Sequence, residues 1–165
     1  MIGQTAIVAS CAVALICICS NAEQEKMKEA NSISMPDVLD TGKGFSFTKN
    51  GVVAILDNKT GKYKLDVDIM WDSQVALRCN NIKAGPGFSG QALIIDLGKI
   101  ELDKVKEAPN GKGVRALGLD AIRQGHTYCV SFANGKGNGL IHVLEYDPRN
   151  GTLVITWRIL PKFAK

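Results

Sequence analysis

Glycine and asparagine are concentrated in one stretch of the chain, SFANGKGNGLIHV (131–143), which is the most motif-like pattern in the sequence. Loops of this composition bind phosphate when they lead into a helix, because backbone N–H groups and the helix N-terminus then face the anion. Here the glycines lead into LIHVLEY (140–146), which is typical of a strand, and their spacing fits neither nucleotide fingerprint. The stretch therefore predicts a hairpin turn, with Lys136 and Asn138 as candidate ligand contacts at its tip.

The residue types that bind metals occur in two groups, and neither has a strong ligand pattern. His126 and His142 are the only histidines, and they fall near neighbouring predicted strands without an HxH or HExxH arrangement. Asp66, Asp68 and Asp72 share one segment, but the glycine-turn loop of a calcium hand is missing. We expect no metal and no other cofactor, and we interpret these side chains as ordinary strand, turn and surface residues.

Carboxylates offer the main catalytic alternative, since no GxSxG nucleophile elbow is present. A small hydrolase would use a pair drawn from Asp68, Asp96 and Glu145. This hypothesis predicts a cleft that holds at least two acids with shifted pKa values. The sequence names no catalytic residue, and the interpretation that it favours is a protein without enzymatic activity.

Two features offer surfaces for a ligand or a partner. Tyr63, Trp71 and Tyr146 would form an aromatic platform for sugars if they were exposed, although their alternation with polar residues favours burial. The loop KAGPGFSG (83–90) is stiffened by proline, and its Phe88 is a candidate ligand contact that either anchors a partner or packs into the core. If this loop protrudes, it is typical of an enzyme inhibitor.

Composition narrows the class of protein. The chain has 165 residues, 45% hydrophobic and 22% charged, which indicates one globular domain with a targeting segment. Its net charge of +4 is spread along the chain without a basic stripe, so we do not expect nucleic acid as a partner. The 17 glycines indicate many turns.

The first 22 residues contain no charged side chain and are interpreted as a secretory signal peptide cleaved after Ala22. Lipidation at Cys11 or Cys19 and an uncleaved anchor are the alternatives. We therefore expect an exported protein, periplasmic or secreted, that meets the membrane only through this segment. Residues 23–43 are predicted to be a flexible lead-in, and residues 44–165 a single β-domain.

Three of the five cysteines lie in the predicted signal, which leaves Cys79 and Cys129 in the mature chain. An even pair in an exported domain favours a disulfide, which would close a loop of about fifty residues and stabilise the domain by about 4 kcal/mol. Two buried free thiols are the alternative.

Apolar residues recur at a period of two along most of the chain, which predicts strands with one buried face. The clearest examples are 63–71, 128–132 and 153–159. Further strands are predicted at 45–48, 52–56, 75–79, 91–97, 100–102, 114–119 and 139–146. The Asn-Gly pairs and the stretches NKTG (58–61) and PRNG (148–151) supply hairpin turns. The fold class is therefore all-β, an antiparallel β-sandwich or small barrel of about eight to ten short strands.

The C-terminal third resembles the closing strands of exported bacterial β-domains, most of which are uncharacterised. The residues that carry the resemblance are GHTYCV (125–130), Gly137, IHVLEYD (141–147), GTL (151–153) and TW (156–157), with IDLG (95–98) and Val105 upstream. The chain departs from the pattern at Arg158 and Ile159, where an aromatic residue is expected. The resemblance, over 44–160, implies an exported all-β domain and transfers no active-site residue.

These observations favour an exported, non-enzymatic β-domain that binds a cell-surface polysaccharide or a protein partner. The carboxylate hydrolase and the inhibitor of an exported enzyme are the alternatives. An exposed aromatic patch would indicate a sugar ligand, whereas a long unpaired edge strand would indicate a protein partner.

Overall fold

The computed structural model describes residues 37–40, 42–64, 66–80 and 92–161. Within them the chain forms ten strands and two single-turn 3-10 helices, Leu102–Lys104 and Leu119–Ala121. The strands are β1 (Asp37–Leu39), β2 (Lys43–Ser46), β3 (Gly51–Ala54), β4 (Ile69–Asp72), β5 (Ala76–Cys79), β6 (Ile94–Asp96), β7 (Ala116–Gly118), β8 (Thr127–Ser131), β9 (Asn138–Asp147) and β10 (Thr152–Ile159).

The strands form two antiparallel sheets of five strands each. Sheet A has the order β1-β10-β9-β8-β6, and sheet B has the order β3-β2-β4-β5-β7. The sheets pack face to face and do not close on one another. The all-β prediction is confirmed, and of its two forms the structure is the sandwich and not the barrel.

The main core lies between the two sheets and follows the alternation of the sequence. Tyr128 and Val130 of β8 face Ile69, Trp71 and the other inner residues of sheet B, and all four are fully buried. In β9 the alternation changes phase opposite the Val154–Ile155 step of β10, where the register shifts by one residue. This bulge lets both ends of a ten-residue strand face the core.

A second apolar cluster lies on the outer face of sheet A. The segment 97–108, which includes the first 3-10 helix, covers Cys129, Leu140 and Leu160 with Leu102 and Val105. The buried guanidinium of Arg158 donates a hydrogen bond to the carbonyl of Val105 and so fixes this cover to β10. Burial lowers the Arg158 pKa.

Hydrogen bonds made by the buried side chains of Trp71 and Asp68 connect the two sheets. The indole Nε1–H of Trp71 in sheet B donates to the carbonyl of Gly151 in the β9–β10 turn at 2.8 Å. The carboxylate of Asp68, at the start of β4, accepts the N–H of Phe47 at 2.8 Å and that of Ala133 at 2.9 Å. Asp68 therefore connects the end of β2 to the β8–β9 hairpin.

The structure corrects several predicted element bounds. The fold begins before residue 44, because β1 lies inside the predicted lead-in and buries Leu39 against the main core. Residues 100–102 form no strand, since the segment turns into the first 3-10 helix. Among the described residues of the predicted strand 63–71, the regular strand begins at Ile69, the first residue of β4 (Ile69–Asp72). The β8–β9 turn confirms the predicted hairpin at the glycine-rich stretch.

Candidate ligand-binding groove

A groove of about 440 Å³ lies on the outer face of sheet B. Its size falls in the range of small-molecule sites, about 300–1,000 Å³. The side chains that the following argument uses are Leu56, Tyr63, Met70, Asp72, Gln74 and Arg78. The floor comes from β4 and β5, and one wall comes from the hairpin that follows β3.

Tyr63 reaches the groove because of a tight turn after β3. The Asp57 carboxylate accepts the N–H groups of Lys59 and Thr60 at 2.8 and 3.0 Å, and Gly61 adopts a φ of 63°. This arrangement is an Asx-type turn with a left-handed glycine. It brings Tyr63 opposite Leu56 in an isolated antiparallel bridge. Tyr63 is 57% exposed and Leu56 is 45% exposed.

The polar side chains of the groove come from β4, β5 and the turn between them. Met70 and Arg78 are direct cross-strand partners, so their side chains share the outer face of sheet B. Asp72 accepts the N–H of Gln74 at 3.0 Å, which shapes the turn and brings Gln74 to the rim. Arg78 donates hydrogen bonds, Asp72 accepts them, and Gln74 does both. The groove therefore combines an exposed aromatic ring with convergent polar groups.

A second depression, of about 620 Å³, adjoins the groove and shares Tyr63 with it. Lys49, Lys62 and Lys64 line it together with Asp57 and Asp66. Lys49 and Asp66 form an ion pair. Hydrogen bonds from the backbone of its turn hold the pKa of Asp57 below the usual value.

The structure does not expose the three residues of the predicted aromatic platform together. The rings of Trp71 and Tyr146 make an edge-to-face contact at the core, with 6.0 Å between their centroids, whereas Tyr63 lies at the surface. Trp71 is fully buried, as the alternation predicts, and Tyr146 is half-buried with its hydroxyl directed to the carbonyl of Leu119 at 3.2 Å. The prediction that Tyr63 faces the core is wrong. The regular strand begins only at Ile69, so Tyr63 lies on the hairpin and not on the inner face of sheet B.

The two histidines lie on opposite faces of sheet A. The His126 ring lies beside the inward-facing Tyr128 and pairs with Asp96 at 3.0 Å. The Nδ1 of His142 lies 2.8 Å from the hydroxyl of Thr127 on the outer face. The described part of the chain contains no group of three or more His, Cys, Asp or Glu side chains able to hold a metal ion.

The candidate calcium ligands also have separate roles. Asp66 pairs with Lys49 at the surface, Asp68 is buried between the sheets, and Asp72 shapes the β4–β5 turn. Burial is the main cause that raises the pKa of Asp68. Each carboxylate is thus used by the fold itself.

The three candidate hydrolase acids have different surroundings. Asp68 is enclosed by backbone N–H donors, Asp96 pairs with His126 at the end of β6, and Glu145 is exposed on β9. None of the three lines the groove. Among the groove residues named above, Asp72 is the single acid, so the pair of acids that the hydrolase hypothesis requires is not found there.

The structure contains no disulfide between Cys79 and Cys129; both are buried free thiols. Cys79 belongs to the main core, whereas Cys129 lies between the inward-facing Tyr128 and Val130 and therefore points into the outer cluster. Sheet A thus separates the two sulfur atoms, which corrects the sequence-based expectation. Burial raises the pKa of each thiol to about 12.

Two further predicted ligand contacts, Lys136 and Asn138, are not among the residues that line the groove. Lys136 is exposed at the tip of the β8–β9 hairpin, where its N–H donates to the Asn134 side chain at 2.8 Å. Asn138 begins β9 and is half-buried opposite Ser131. Their role in ligand binding stays a prediction. Phe88 and the loop 83–90 lie outside the described residues, as does the predicted signal segment 1–22.

The fold and the groove define an all-β sandwich with a concave surface on one sheet. No family model matches the chain, and no curated protein and no solved structure is significantly similar to it. The resemblance to exported β-domains therefore stays a prediction. No helix in the described ranges is long and apolar enough to span a bilayer.

Sequence reasoning did not identify Leu56, Gln74 and Arg78, and it placed Tyr63 on the wrong face. A signal for the hairpin was present, since NKTG (58–61) was predicted to be a turn. A turn there brings the residues on its two sides together. Nothing in the sequence, however, indicated that β4 and β5 present Arg78 to that hairpin.

Proposed function

We propose that this protein is an exported, non-enzymatic binding domain whose sheet B groove binds a polysaccharide. The observation that carries the proposal is the exposed ring of Tyr63 beside Asp72, Gln74 and Arg78. The face of an aromatic ring packs against the C–H groups of a sugar, and the polar side chains exchange hydrogen bonds with its hydroxyls.

The edges of the sheets favour a sugar over a protein partner. The edge strands are β1 and β6 in sheet A and β3 and β7 in sheet B. Each has three or four residues. Strand addition by a partner uses a longer run of unpaired backbone groups. The exposed side chain of Tyr63 is therefore the feature that favours a sugar ligand over a protein partner.

The test is native gel electrophoresis through soluble polysaccharides, comparing the wild-type protein with Tyr63→Ala. At least one polysaccharide should retard the wild-type protein, and the variant should bind it at least about fivefold more weakly because a stacking contact is lost. The panel comprises polygalacturonate, methyl-esterified pectin, dextran sulfate, dextran and xyloglucan. Tyr63 is exposed, so its truncation should leave the fold intact.

Two variants serve as controls. Tyr63→Phe keeps the ring and should retain most of the retardation. Val114→Ala truncates an exposed apolar side chain outside the groove and should migrate like the wild-type protein. If no gel retards the wild-type protein, or if Tyr63→Ala binds normally, the proposal is wrong. Tyr63-dependent capture of a protein without any polysaccharide binding would assign the groove to a protein partner.

A further inference from the structure

Tyr63 lines both the groove and the second depression, and the two together are the combined surface considered below. Arg78 lines the groove, and Lys62 and Lys64 line the second depression. Arg78 and Lys62 are exposed, and Lys64 is half-buried. A ligand that occupied both depressions would therefore meet cationic side chains in each of them.

The acids of this surface are already engaged within the protein. Asp57 accepts two N–H groups of its own turn, Asp66 pairs with Lys49, and Asp72 accepts a backbone N–H at the β4–β5 turn. These contacts hold the carboxylates in place and take up part of their capacity to accept hydrogen bonds. Apart from Lys49, which pairs with Asp66, the cations of the two depressions are Lys62, Lys64 and Arg78, and a negatively charged ligand would meet these three.

We propose that this combined surface binds an anionic polysaccharide, with Tyr63 stacking on a sugar ring and Lys62, Lys64 and Arg78 facing its negative groups. The inference rests on the polysaccharide-binding function proposed above and specifies its ligand class. Carboxylate, sulfate and phosphate groups share the chemistry that these side chains recognise. A neutral glycan would leave the three cations without counter-charges from the ligand.

The decisive comparison uses matched polymers that differ in charge. Polygalacturonate should retard the protein, and methyl-esterified pectin, whose carboxylates are blocked, should retard it much less. Dextran sulfate and dextran form a second matched pair, which tells whether sulfate replaces carboxylate. Retardation by the charged polymer should weaken as salt is added, because exposed charges are screened. Equal retardation by both members of each pair would overturn the inference while leaving polysaccharide binding intact.

A pair of double variants locates the charge effect. Lys62→Gln/Lys64→Gln should weaken binding to the charged polymer about fivefold, since each exposed charge contact contributes a modest amount. Lys99→Gln/Lys112→Gln removes the same charge from exposed positions outside the surface and should bind normally. If both double variants lose binding equally, net charge and not this surface is responsible. If no polymer binds at all, the proposed function fails as well.

Discussion

The carboxylate of Asp68 is buried, and its role is to connect two parts of the fold. It is 2% exposed, yet its two oxygens accept the N–H groups of Phe47 and Ala133 from the two halves of the sandwich. A buried N–H without an acceptor is costly, which explains why an acid is kept there. The sequence made Asp68 a candidate for catalysis or calcium binding, but these contacts explain it as a structural residue.

Asp68→Ala should lower the free energy of unfolding by about 2–4 kcal/mol, because two buried N–H groups lose their acceptor. Urea titration measures the change. Asp66→Ala is the matched control, since it removes a partly exposed, ion-paired carboxylate two residues away and should cost less than about 1 kcal/mol. Equal losses in the two variants would contradict the structural role of Asp68.

The same residue predicts a pH dependence. Burial raises the pKa of Asp68, so the folded state binds its proton more tightly than the unfolded state does. The pH-dependent part of the contribution of Asp68 to stability is therefore fully present below about pH 4, the ordinary aspartate pKa, and is lost as pH rises through the raised value. The stability difference between wild type and Asp68→Ala should shrink over that rise. A difference that grows with pH would refute this assignment.

At the scale of the elements, close packing between strands explains a glycine within the long strand β9. A Cβ at Gly139 would lie 2.2–2.5 Å from the ring of Phe47, which itself stacks on Phe132. Phe47 follows β2 in sheet B, so this contact joins the two sheets beside the β8–β9 hairpin. The glycines of the stretch 131–143 thus permit the β8–β9 turn and, at Gly139, the close packing against Phe47.

Gly139→Ala should destabilise the protein by about 1–3 kcal/mol, because the Phe47 ring has to move out of a packed core. Gly111→Ala is the control at an exposed position, where a Cβ would come no closer than 3.8 Å to a side chain. It should be neutral or slightly stabilising, since alanine restricts the unfolded chain. Urea midpoints of the two variants measure the contrast, and a Gly139→Ala variant as stable as Gly111→Ala would contradict the packing.

At the scale of the whole molecule, sheet A divides the interior into two apolar clusters with one buried thiol in each. Their pKa values of about 12 keep both thiols protonated at neutral pH, and the thiolate is the reactive form. Export would remove Cys11, Cys17 and Cys19 together with the predicted signal. The number of thiols in the protein therefore reports on signal cleavage, and their reactivity in the native protein reports on folding.

The intact mass of the protein recovered from its own cell fractions should correspond to a chain that starts at Glu23 and should not change on reduction. The native protein should resist alkylation, and the denatured protein should gain two alkyl groups. A gain of five groups would show that the signal segment is retained. A reductant-dependent gain would show that the thiols are bridged.

The sequence by itself determined the fold class and most of the inner face. Alternation identified the buried sides of 128–132 and 153–159 because, within one strand, a period of two and burial on one face are the same fact. The turns could also be predicted, because asparagine and glycine at a bend reflect local backbone preferences. The choice between sandwich and barrel was left open, because closure depends on contacts between strands distant in sequence.

Tertiary structure alone decided the position of Tyr63 and the state of the cysteines. The apolar alternation runs unbroken from Tyr63 to Trp71. The buried hydrogen bonds that Asp68 accepts, however, fix the start of β4, and the preceding hairpin places Tyr63 at the surface. Cys79 and Cys129 are an even pair in sequence, yet a sheet lies between them. Both outcomes depend on which strands become neighbours, and the local pattern along a chain does not encode that.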